Sequence, residues 1–285
     1  MKGIILAAGR GTRLYPMTKP VCKPLLPVYD KPLLYYPLSV LMQAGIDQVL
    51  VIVPPGETGT FSALLGDGAQ LGISIQYTVQ PVARGIADAL LIGGDFLAGE
   101  DVCLVLGDNL FWAPDLAGVL KRAARDNRGA TVFGCYVQDP KPFGVVEFDA
   151  DGRAISIEEK PSHPKSHYVV PGLYFYRNDA LDIAAGLTPS ARGELEITDV
   201  NLAFLRRDQL QVIPLQDNYL WMDAGSADSL LAAAQAIHDL QHTTGQYVGC
   251  IEEVAYREGR ITRQQLHQLG SQLDMTAYGR HLLAL

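Results

Sequence analysis

The chain is poor in basic residues and lacks long apolar runs. Its 285 residues include 23 Lys and Arg against 31 Asp and Glu, which gives a formal net charge of −8. Nucleic-acid backbones and anionic membrane surfaces are bound by basic faces, so neither is expected as the main partner. No apolar run approaches the roughly 18 residues that span a bilayer, and no charged-then-apolar leader is present. We therefore predict a cytoplasmic globular protein without a signal peptide or a membrane span.

Cysteine and histidine form no familiar metal or disulfide pattern. The chain contains no C-x-x-C pair and no H-E-x-x-H motif. His238 and His242 are four residues apart, but no third ligand accompanies them. We therefore expect buried, reduced thiols and exposed helical histidines, with neither a zinc site nor a disulfide framework. The four cysteines are Cys22, Cys103, Cys135 and Cys250.

Two common glycine motifs are also missing. The dinucleotide-binding fingerprint G-x-G-x-x-G would need glycine at position 14 after Gly9 and Gly11, where the chain has Leu14. The P-loop requires Gly-Lys-Ser or Gly-Lys-Thr, and neither occurs in the chain. These absences argue against a nicotinamide-dependent oxidoreductase and against a P-loop protein.

The N-terminal stretch, residues 2–37, is the most informative part of the chain. Its apolar run Ile4–Leu6 is bounded by glycine, which is typical of a strand buried on both faces of a parallel sheet. Residues 7–12 have little side-chain bulk, so their backbone N–H groups can bind phosphate oxygens. Arg13 and Lys23 place two cations near this loop. The stretch therefore predicts a phosphate-rich ligand.

Predicted strands and helices alternate up to about residue 126, which is typical of a doubly wound sheet. After Gly129, strand-like segments follow one another through short loops, which predicts a mixed or antiparallel extension. A helix at 226–240 and a helical tail from Cys250 complete the pattern. The expected strands are 4–6, 49–53, 73–79, 102–106, 130–137, 144–148, 154–157 and 168–176, and the expected earlier helices are 35–44 and 58–65.

Asp108 is a candidate metal ligand. It follows the predicted strand 102–106 in the sequence Gly107-Asp108-Asn109. Ligands bind beyond the carboxyl ends of strands in open α/β sheets, and Mg²⁺ prefers one or two carboxylates together with phosphate oxygens. The alternative is an Asx turn that only ends the strand.

The N-terminal stretch resembles a known family. The sequence G-x-G-T-R at 9–13 is followed, ten residues later, by Lys23 in K-P-L-L-P. Together with the preceding strand, this resembles the signature of the sugar-1-phosphate nucleotidyltransferases. The longer run through 35–38 is similar to the branch that uses dTTP and glucose 1-phosphate. The resemblance continues to the C-terminus, with matching segments at 80–90, 107–109, 143–148, 158–161, 170–176, 190–199 and 219–225.

The resemblance implies an α/β, Rossmann-like nucleotidyltransferase fold. The central sheet would be mixed and mostly parallel, flanked by helices, with a small C-terminal helical segment. The nucleotidyltransferase domain would span 1–240, with a nucleotide-binding part at about 1–128 and a sugar-binding part at about 129–225. Residues 241–285 would form the helical segment packed on this domain. A homotetramer is also implied.

The reaction implied by the resemblance converts dTTP and α-D-glucose 1-phosphate into dTDP-glucose and pyrophosphate, with Mg²⁺ as cofactor. The sugar phosphate oxygen attacks the α-phosphorus opposite the departing pyrophosphate, and no covalent enzyme intermediate is needed. Catalysis then depends on positioning two anions and on neutralising charge as it builds. The implied catalytic residues are Arg13 on the pyrophosphate, Lys23 on the α-phosphate, Lys160 on the incoming phosphate, and Arg192 near the phosphates.

The same resemblance implies the binding residues. Gln80 would contact the thymine, because a carboxamide offers both a donor and an acceptor to a base edge. The nucleotide-binding set is Leu6, Ala8, Gly9, Gly11, Thr12, Gln80, Gly85 and Asp108. The sugar-phosphate set is Gly144, Glu159, Lys160, Val170, Tyr174 and Trp221. The metal ligands would be Asp108 and Asp223.

Some positions depart from the family pattern. Asp88 and Ile86 replace the expected glutamine and leucine, Pro171 replaces threonine, and Ala224 stands where threonine is usual. Short-form relatives commonly have a second site that binds dTDP-rhamnose as a feedback inhibitor. Glu253 and Arg257 match that site, but tyrosine, glycine and a histidine-glutamate pair are replaced. We therefore expect no dTDP-rhamnose inhibition of the usual kind. The replacing residues are Trp112, Ala113, Ala117 and Gly118.

Two alternatives remain open from the sequence. UTP could replace dTTP, or another sugar 1-phosphate could replace glucose 1-phosphate, because one methyl group supports only about 1–3 kcal/mol of discrimination. A catalytically silent sugar-nucleotide sensor is the other alternative. Such a protein would be expected to have lost Lys23 or one of the two aspartates, and this chain keeps all three.

Overall fold

The strand Lys2–Leu6 lies in the middle of a ten-stranded sheet. It pairs in parallel with strands on both sides, so that Ile4 lies between Leu50 and Leu104. Ile4 and Ile5 are both fully buried because helices cover both faces of the sheet. The prediction of a strand buried on both faces is confirmed.

The computed structural model describes residues 1–216 and 218–285. Its strands are β1 (Lys2–Leu6), β2 (Pro27–Val28), β3 (Lys31–Pro32), β4 (Gln48–Val53), β5 (Ser74–Val79), β6 (Val102–Leu106), β7 (Asn109–Trp112), β8 (Ala130–Tyr136), β9 (Gly144–Phe148), β10 (Ala154–Glu159), β11 (Tyr168–Val169), β12 (Leu173–Tyr176), β13 (Leu210–Pro214) and β14 (Leu220–Asp223). Its α-helices are α1 (Tyr35–Gln43), α2 (Thr58–Leu65), α3 (Asp88–Ile92), α4 (Gly94–Leu97), α5 (Leu116–Asp126), α6 (Ala180–Ala185), α7 (Ile197–Arg206), α8 (Ala227–Thr244), α9 (Ile251–Arg257), α10 (Arg263–Ser271) and α11 (Ala277–Ala284).

The sheet has a parallel half and a mixed half. Its order is β10-β9-β11-β8-β12-β6-β1-β4-β5, and β13 pairs with β8. The β6-β1-β4-β5 part is parallel, whereas β12 runs antiparallel to both β6 and β8. The predicted change of architecture after Gly129 is therefore confirmed.

The predicted single strand at 168–176 is wrong, because the structure has two strands there. Residues 170–172 separate β11 from β12. Pro171 has no N–H to donate to a neighbouring strand. The N–H of Gly172 donates instead to the side-chain oxygen of Asn109, at 3.1 Å. This interruption places Val170 and Gly172 at the wall of a cavity.

Helix α8 ends later than predicted and contains the proposed domain boundary. The helix continues to Thr244, where Gly245 adopts a left-handed conformation with φ of 70° and caps it. The boundary at residue 240 therefore falls inside α8, because no glycine or proline interrupts the helix before Gly245. The division into a nucleotidyltransferase domain and a C-terminal helical segment stays a proposal.

Of the last three helices, α9 packs on α1, α10 packs on α9, and α11 packs on α10. Ile251, Ala255 and Leu266 are buried in the same apolar cluster as Leu38 and Leu41 of α1. The described residues include no helix with the length and apolar character that a bilayer crossing needs.

Close packing of α11 against the segment that follows α10 gives a stability prediction. A Cβ added to Gly279 would lie 2.0 Å from the carbonyl oxygen of Leu273. Gly279→Ala should therefore lower the free energy of unfolding by about 2–3 kcal/mol through overpacking. The measurement is urea denaturation followed by circular dichroism.

Gly59→Ala is the matched control for that change. Gly59 lies in α2, and its added Cβ would meet no atom within 4 Å. This substitution should be neutral or stabilise by about 1 kcal/mol, because alanine favours helix more than glycine does. Equal stabilities for the two variants would contradict the packing of α11 described above.

Candidate active site

A buried lysine between two aspartates lies at the carboxyl end of the parallel strands. The side chain of Lys23 is buried, with 6% of the residue exposed. Its Nζ forms an ion pair with Asp108 and lies 3.8 Å from Oδ1 of Asp223. Gly11 permits this approach, because a Cβ there would lie 3.0 Å from the Cβ of Lys23. The structure thus brings together three of the residues predicted for the site.

A two-stranded ribbon holds the two aspartates next to each other. Strands β7 and β14 pair antiparallel, with Asn109 opposite Asp223. The N–H of Ala224 donates to the backbone carbonyl of Asp108 at 3.0 Å. Asp108 follows β6 directly, so the ribbon extends from the end of a central strand of the sheet. The sequence interpretation paired the aspartates by resemblance but did not foresee this ribbon.

The carboxyl group of Asp223 has a raised pKa. Burial raises the pKa of Asp223 from 3.8 to about 6, and the nearby charge of Asp108 adds to this shift. Lys23 and Arg13 act in the opposite direction. The carboxylate pair is therefore short of positive charge, which a bound cation would supply.

The first cavity, which we call cavity A, lies on one side of this aspartate pair. It has a volume of about 410 Å³ and is lined by all six residues predicted for the sugar phosphate. The predicted residues that line it are Arg13, Asp108, Gly144, Glu159, Lys160, Val170, Tyr174, Trp221 and Asp223.

Polar side chains in the wall of cavity A are held by specific partners. The indole N–H of Trp221 donates to Oδ1 of Asn109 at 2.6 Å, and the Trp221 ring meets Phe143 edge-on. The hydroxyl of Thr198 donates to the carboxylate of Glu159. A Cβ on Gly144 would lie 3.1 Å from this hydroxyl, so the glycine leaves room beside it. These contacts fix the wall without filling the cavity.

The second cavity, cavity B, lies on the other side, against the N-terminal loop. Its volume is about 350 Å³, and it shares Arg13, Ile86, Leu106 and Asp108 with cavity A. The predicted nucleotide-binding or catalytic residues that line it are Leu6, Gly9, Arg13, Lys23, Gln80, Gly85 and Asp108.

The backbone at position 85 requires a glycine, for a reason that the sequence did not reveal. Its φ is 103°, and an added Cβ would lie 2.4 Å from the carbonyl oxygen of Leu195. The loop is joined to Leu195 by two backbone hydrogen bonds, one to Arg84 and one from Ala87. Glycine is therefore needed here for the contact between 84–87 and Leu195, whatever ligand the cavity binds.

Four predicted site residues do not line either cavity. Ala8, Gly11 and Thr12 belong to the loop beside cavity B but are not among the residues that line it. The guanidinium of Arg192 forms ion pairs with Glu159, Glu194 and Glu196, at 3.3, 3.2 and 2.7 Å. Its charge is thus already balanced by carboxylates, and its role on the phosphates stays a prediction.

Comparisons with known proteins show the family of this chain. The model of the family described as nucleotidyl transferase matches residues 2–240. The chain belongs to the nucleotidyl transferase family. A glucose-1-phosphate thymidylyltransferase of Xanthomonas campestris pv. campestris (strain B100) is 54% identical over 284 residues, covering 100% of this chain and 96% of its own length. One of the same name from Neisseria gonorrhoeae is 50% identical over 285 residues, covering 100% and 99%.

Solved structures support the fold of this nucleotidyl transferase. A Bacillus anthracis chain, provisionally described as a glucose-1-phosphate thymidylyltransferase in complex with sucrose, has a TM-score of 0.77 and 40% identity, covering 84% of this chain and 96% of its own. A UDP-glucose pyrophosphorylase complexed with UDP-glucose has a TM-score of 0.73 at 24% identity, covering 84% and 98%, which bears on the fold alone. The predicted Rossmann-like nucleotidyltransferase fold is confirmed.

Asn109 is a site residue that the sequence interpretation missed. Its Nδ2 donates to Oδ1 of Asp108 at 2.8 Å, while its own Oδ1 accepts from Gly172 and Trp221. It lies within Gly107-Asp108-Asn109, which was singled out only for its aspartate. The signal in the sequence was an asparagine directly after Asp108, at the end of a buried strand. A buried asparagine needs hydrogen-bond partners for both ends of its amide.

A third cavity of this nucleotidyl transferase, cavity C, lies beside the C-terminal helices. Its volume is about 230 Å³, and Trp112, Ala113, Glu253 and Arg257 line it. These are four of the residues that the family resemblance connects with regulation. Absence of the usual dTDP-rhamnose inhibition stays a prediction.

A cysteine, a glutamate and a histidine also meet near cavity C, which the sequence did not foresee. Donor atoms of Cys250, Glu253 and His281 lie within 4.8 Å of one another. The expectation of an exposed histidine is wrong for His281, which is partly buried and lies 2.6 Å from Glu253. Burial raises the pKa of the Cys250 thiol, and Arg257 pairs with Glu253 at 2.7 Å. A protonated thiol and a paired carboxylate favour an ion-pair network over a metal site.

The raised pKa of Asp223 gives a stability prediction. Folding raises the pKa from 3.8 to about 6, so this group stabilises the fold below pH 4 and loses that contribution as the pH rises through 6. Asp223→Asn removes the buried charge. In EDTA at pH 8 it should therefore raise the free energy of unfolding by up to about 3 kcal/mol.

Urea denaturation at pH 8 and pH 4 measures this effect. The gain should shrink towards zero at pH 4, where the wild-type carboxyl is largely protonated. Asp151→Asn, in an exposed turn, is the control and should change stability little at either pH. A variant at 223 that is less stable than wild type at pH 8 would show that the carboxylate stabilises the fold.

Proposed function

We propose that this nucleotidyl transferase couples a deoxythymidine triphosphate to glucose 1-phosphate, forming dTDP-glucose and pyrophosphate. The observation that carries the proposal is the Lys23–Asp108–Asp223 cluster at the junction of two cavities. Reactants held in separate cavities that meet at one cation are placed for direct transfer between them. The relatives at 50–54% identity, named glucose-1-phosphate thymidylyltransferase, support this choice of substrates.

The chemistry is an in-line attack of a sugar phosphate oxygen on the α-phosphorus of the nucleotide, with pyrophosphate leaving on the opposite side. The two reactants are anions, and two unit charges about 4 Å apart repel by about 4 kcal/mol near a protein surface. Positive groups must therefore surround the reaction centre and be in place before the reaction starts. The residues that line cavities A and B include three cations, Arg13, Lys23 and Lys160.

Each cation has a place suited to one part of the reaction. Lys23 lies in the wall of cavity B beside Asp108, where it would contact the α-phosphate. Arg13 borders both cavities, and its side chain would contact the departing pyrophosphate. Lys160 lines cavity A, at 3.7 Å from Glu159, where it would receive the sugar phosphate. These positions support the roles that the family resemblance implied.

The chemistry of the donor set fits a divalent cation. Asp108 and Asp223 provide two hard carboxylate oxygen donors that face cavity A, and phosphate oxygens can complete such a set. Mg²⁺ held by these two residues would neutralise negative charge on the phosphates as it develops. The raised pKa of Asp223 supports the fit, because it marks a pair of carboxylates short of positive charge.

Cavity A suits the sugar. Glu159 can accept hydrogen bonds from sugar hydroxyls, and a side chain at position 144 would crowd its carboxylate, since a Cβ on Gly144 would lie 3.4 Å from Oε2 of Glu159. Trp221 and Tyr174 add aromatic surface to the same wall. Pyranose rings present both hydroxyl edges and apolar faces, so this combination supports glucose 1-phosphate as the second substrate.

Pyrophosphorolysis is the decisive assay. Purified protein is incubated with pyrophosphate, Mg²⁺ and either dTDP-glucose or UDP-glucose, and release of the nucleoside triphosphate is followed by chromatography. We expect dTTP to form faster than UTP. Release of neither triphosphate would overturn the proposal, and faster UTP formation would assign the chain to the UTP-using alternative.

Removing the charge of Lys23 should slow the reaction strongly. Lys23→Gln keeps hydrogen bonding to the aspartates but removes the cation from the reaction centre. Turnover should fall by about 10²–10³-fold, as when a group that stabilises the transition state is lost. Lys19→Gln, an exposed lysine in the same loop, is the control and should keep wild-type turnover. Wild-type turnover of the variant at 23, with folding verified by circular dichroism, would remove Lys23 from the mechanism.

Changing Asp108 should change the demand for metal. Asp108→Asn replaces a charged ligand with a neutral one, so the Mg²⁺ concentration for half-maximal rate should rise by about tenfold or more. The measurement is a Mg²⁺ titration of the initial rate at saturating substrates. Asp151→Asn should give the wild-type titration curve, and an unchanged curve for the variant at 108 would count against its role as a ligand.

The proposed enzyme is cytoplasmic and homotetrameric. These properties follow from the family resemblance and from the sequence, and they stay predictions. Size-exclusion chromatography with light scattering measures the assembly directly.

A further inference from the structure

Gln80 lies where cavity B meets the end of an edge strand of the sheet. It follows β5, and its backbone N–H donates to the carbonyl of Val53 at 3.0 Å. Only 5% of the residue is exposed, and it lines cavity B together with Gly85 and Lys23. A carboxamide in this position can read a ligand only if its two ends, the oxygen and the nitrogen, have a fixed arrangement.

Asp88 fixes that arrangement. It is 1% exposed, and its Oδ2 accepts a hydrogen bond from Nε2 of Gln80 at 2.8 Å. Its other oxygen, Oδ1, accepts from Nη2 of Arg84 at 2.6 Å. A carboxylate only accepts hydrogen bonds, so it must face the nitrogen end of the Gln80 amide. The reverse orientation would place two acceptors against each other at a buried site, which is costly.

The oxygen end of Gln80 is consequently left for a ligand. Within residues 1–216 and 218–285, the hydrogen bond to Asp88 is the one that the Gln80 side chain makes. Its Oε1 therefore remains as an acceptor, while one Nε2–H is taken by Asp88. The second Nε2–H can donate to a carbonyl oxygen of the ligand. That oxygen would lie next to the ligand N–H that Oε1 accepts from.

We propose that Asp88 is a positioning residue that sets nucleobase selectivity by holding Gln80 with its oxygen towards the base. An acceptor at this point matches the N3–H of thymine or uracil, with Nε2–H donating to a neighbouring keto oxygen. Cytosine presents an acceptor at N3, so two acceptors would face each other. This inference rests on the proposed function, because it assumes that cavity B receives the base of the nucleotide.

Replacing the carboxylate by an amide should invert the selectivity. In Asp88→Asn, the guanidinium of Arg84 can only donate, so the oxygen of the new amide should face Arg84. The nitrogen of that amide then faces Gln80. Gln80 must then present its oxygen to Asn at position 88 and its nitrogen to cavity B. A donor at that point favours the N3 acceptor of cytosine over the N3–H of thymine.

The experiment compares kcat/KM for dTTP and dCTP, each with glucose 1-phosphate. The ratio should favour dTTP strongly in wild type and should fall by about tenfold or more in Asp88→Asn. Asp95→Asn, an exposed aspartate on the next helix, is the matched control and should keep the wild-type ratio. If Asp88 has only a structural role, both kcat/KM values fall together and the ratio is unchanged, which would overturn the inference.

A second measurement does not depend on the folding of a variant. N3-methyl-dTTP lacks the N3–H, so wild-type protein should use it at least about a hundredfold less well than dTTP. Comparable use of the two nucleotides would overturn the inference. Failure of the proposed function looks different, since wild-type protein would then show no transfer from dTTP at all. Equal use of UTP would leave the inference standing, because uracil keeps the N3–H.

Discussion

The ion cluster of Lys23 with Asp108 and Asp223 is the interaction on which the site depends. Taking charged groups out of water is costly, and a buried carboxylate without its partner is costlier still. Two local features bring the charged groups together. Gly11 has no side chain that would block the approach of Lys23, and the β7–β14 ribbon places the two aspartates side by side. The raised pKa of Asp223 indicates that the compensation is incomplete without a ligand. Stability and activity are therefore opposed at this point of the chain.

Local sequence signals predicted the part of the site that is built from consecutive residues. The buried strand β1, the small-residue loop after it, and Asp108 at the end of β6 each depend on a few neighbouring residues. The ribbon depends instead on pairing between segments far apart, with Asn109 and Trp221 separated by 112 positions. Each of its strands has only four residues, which is too short for a periodic pattern to stand out.

Two other differences have similar physical causes. The segment 168–176 is apolar and aromatic like a single strand, but Pro171 removes a donor and Gly172 donates to a side chain instead. Arg192 matches a cation expected near phosphate, yet it pairs with Glu194 and Glu196, which are close in sequence, and with Glu159, which is distant. Residue type was predictable in both cases, whereas the hydrogen-bond and ion-pair partners were not.

Asn109 joins three separate segments through one side chain. Its amide bonds Asp108, Gly172 and Trp221, so the strand end, the β12 approach and the ribbon meet at one point. Parting those segments would break two hydrogen bonds, those to Gly172 and Trp221, each worth about 1 kcal/mol in net terms. Separation of these segments should therefore be rare. Asn109 thus holds the end of β6, the approach to β12 and the ribbon together in the wall of cavity A.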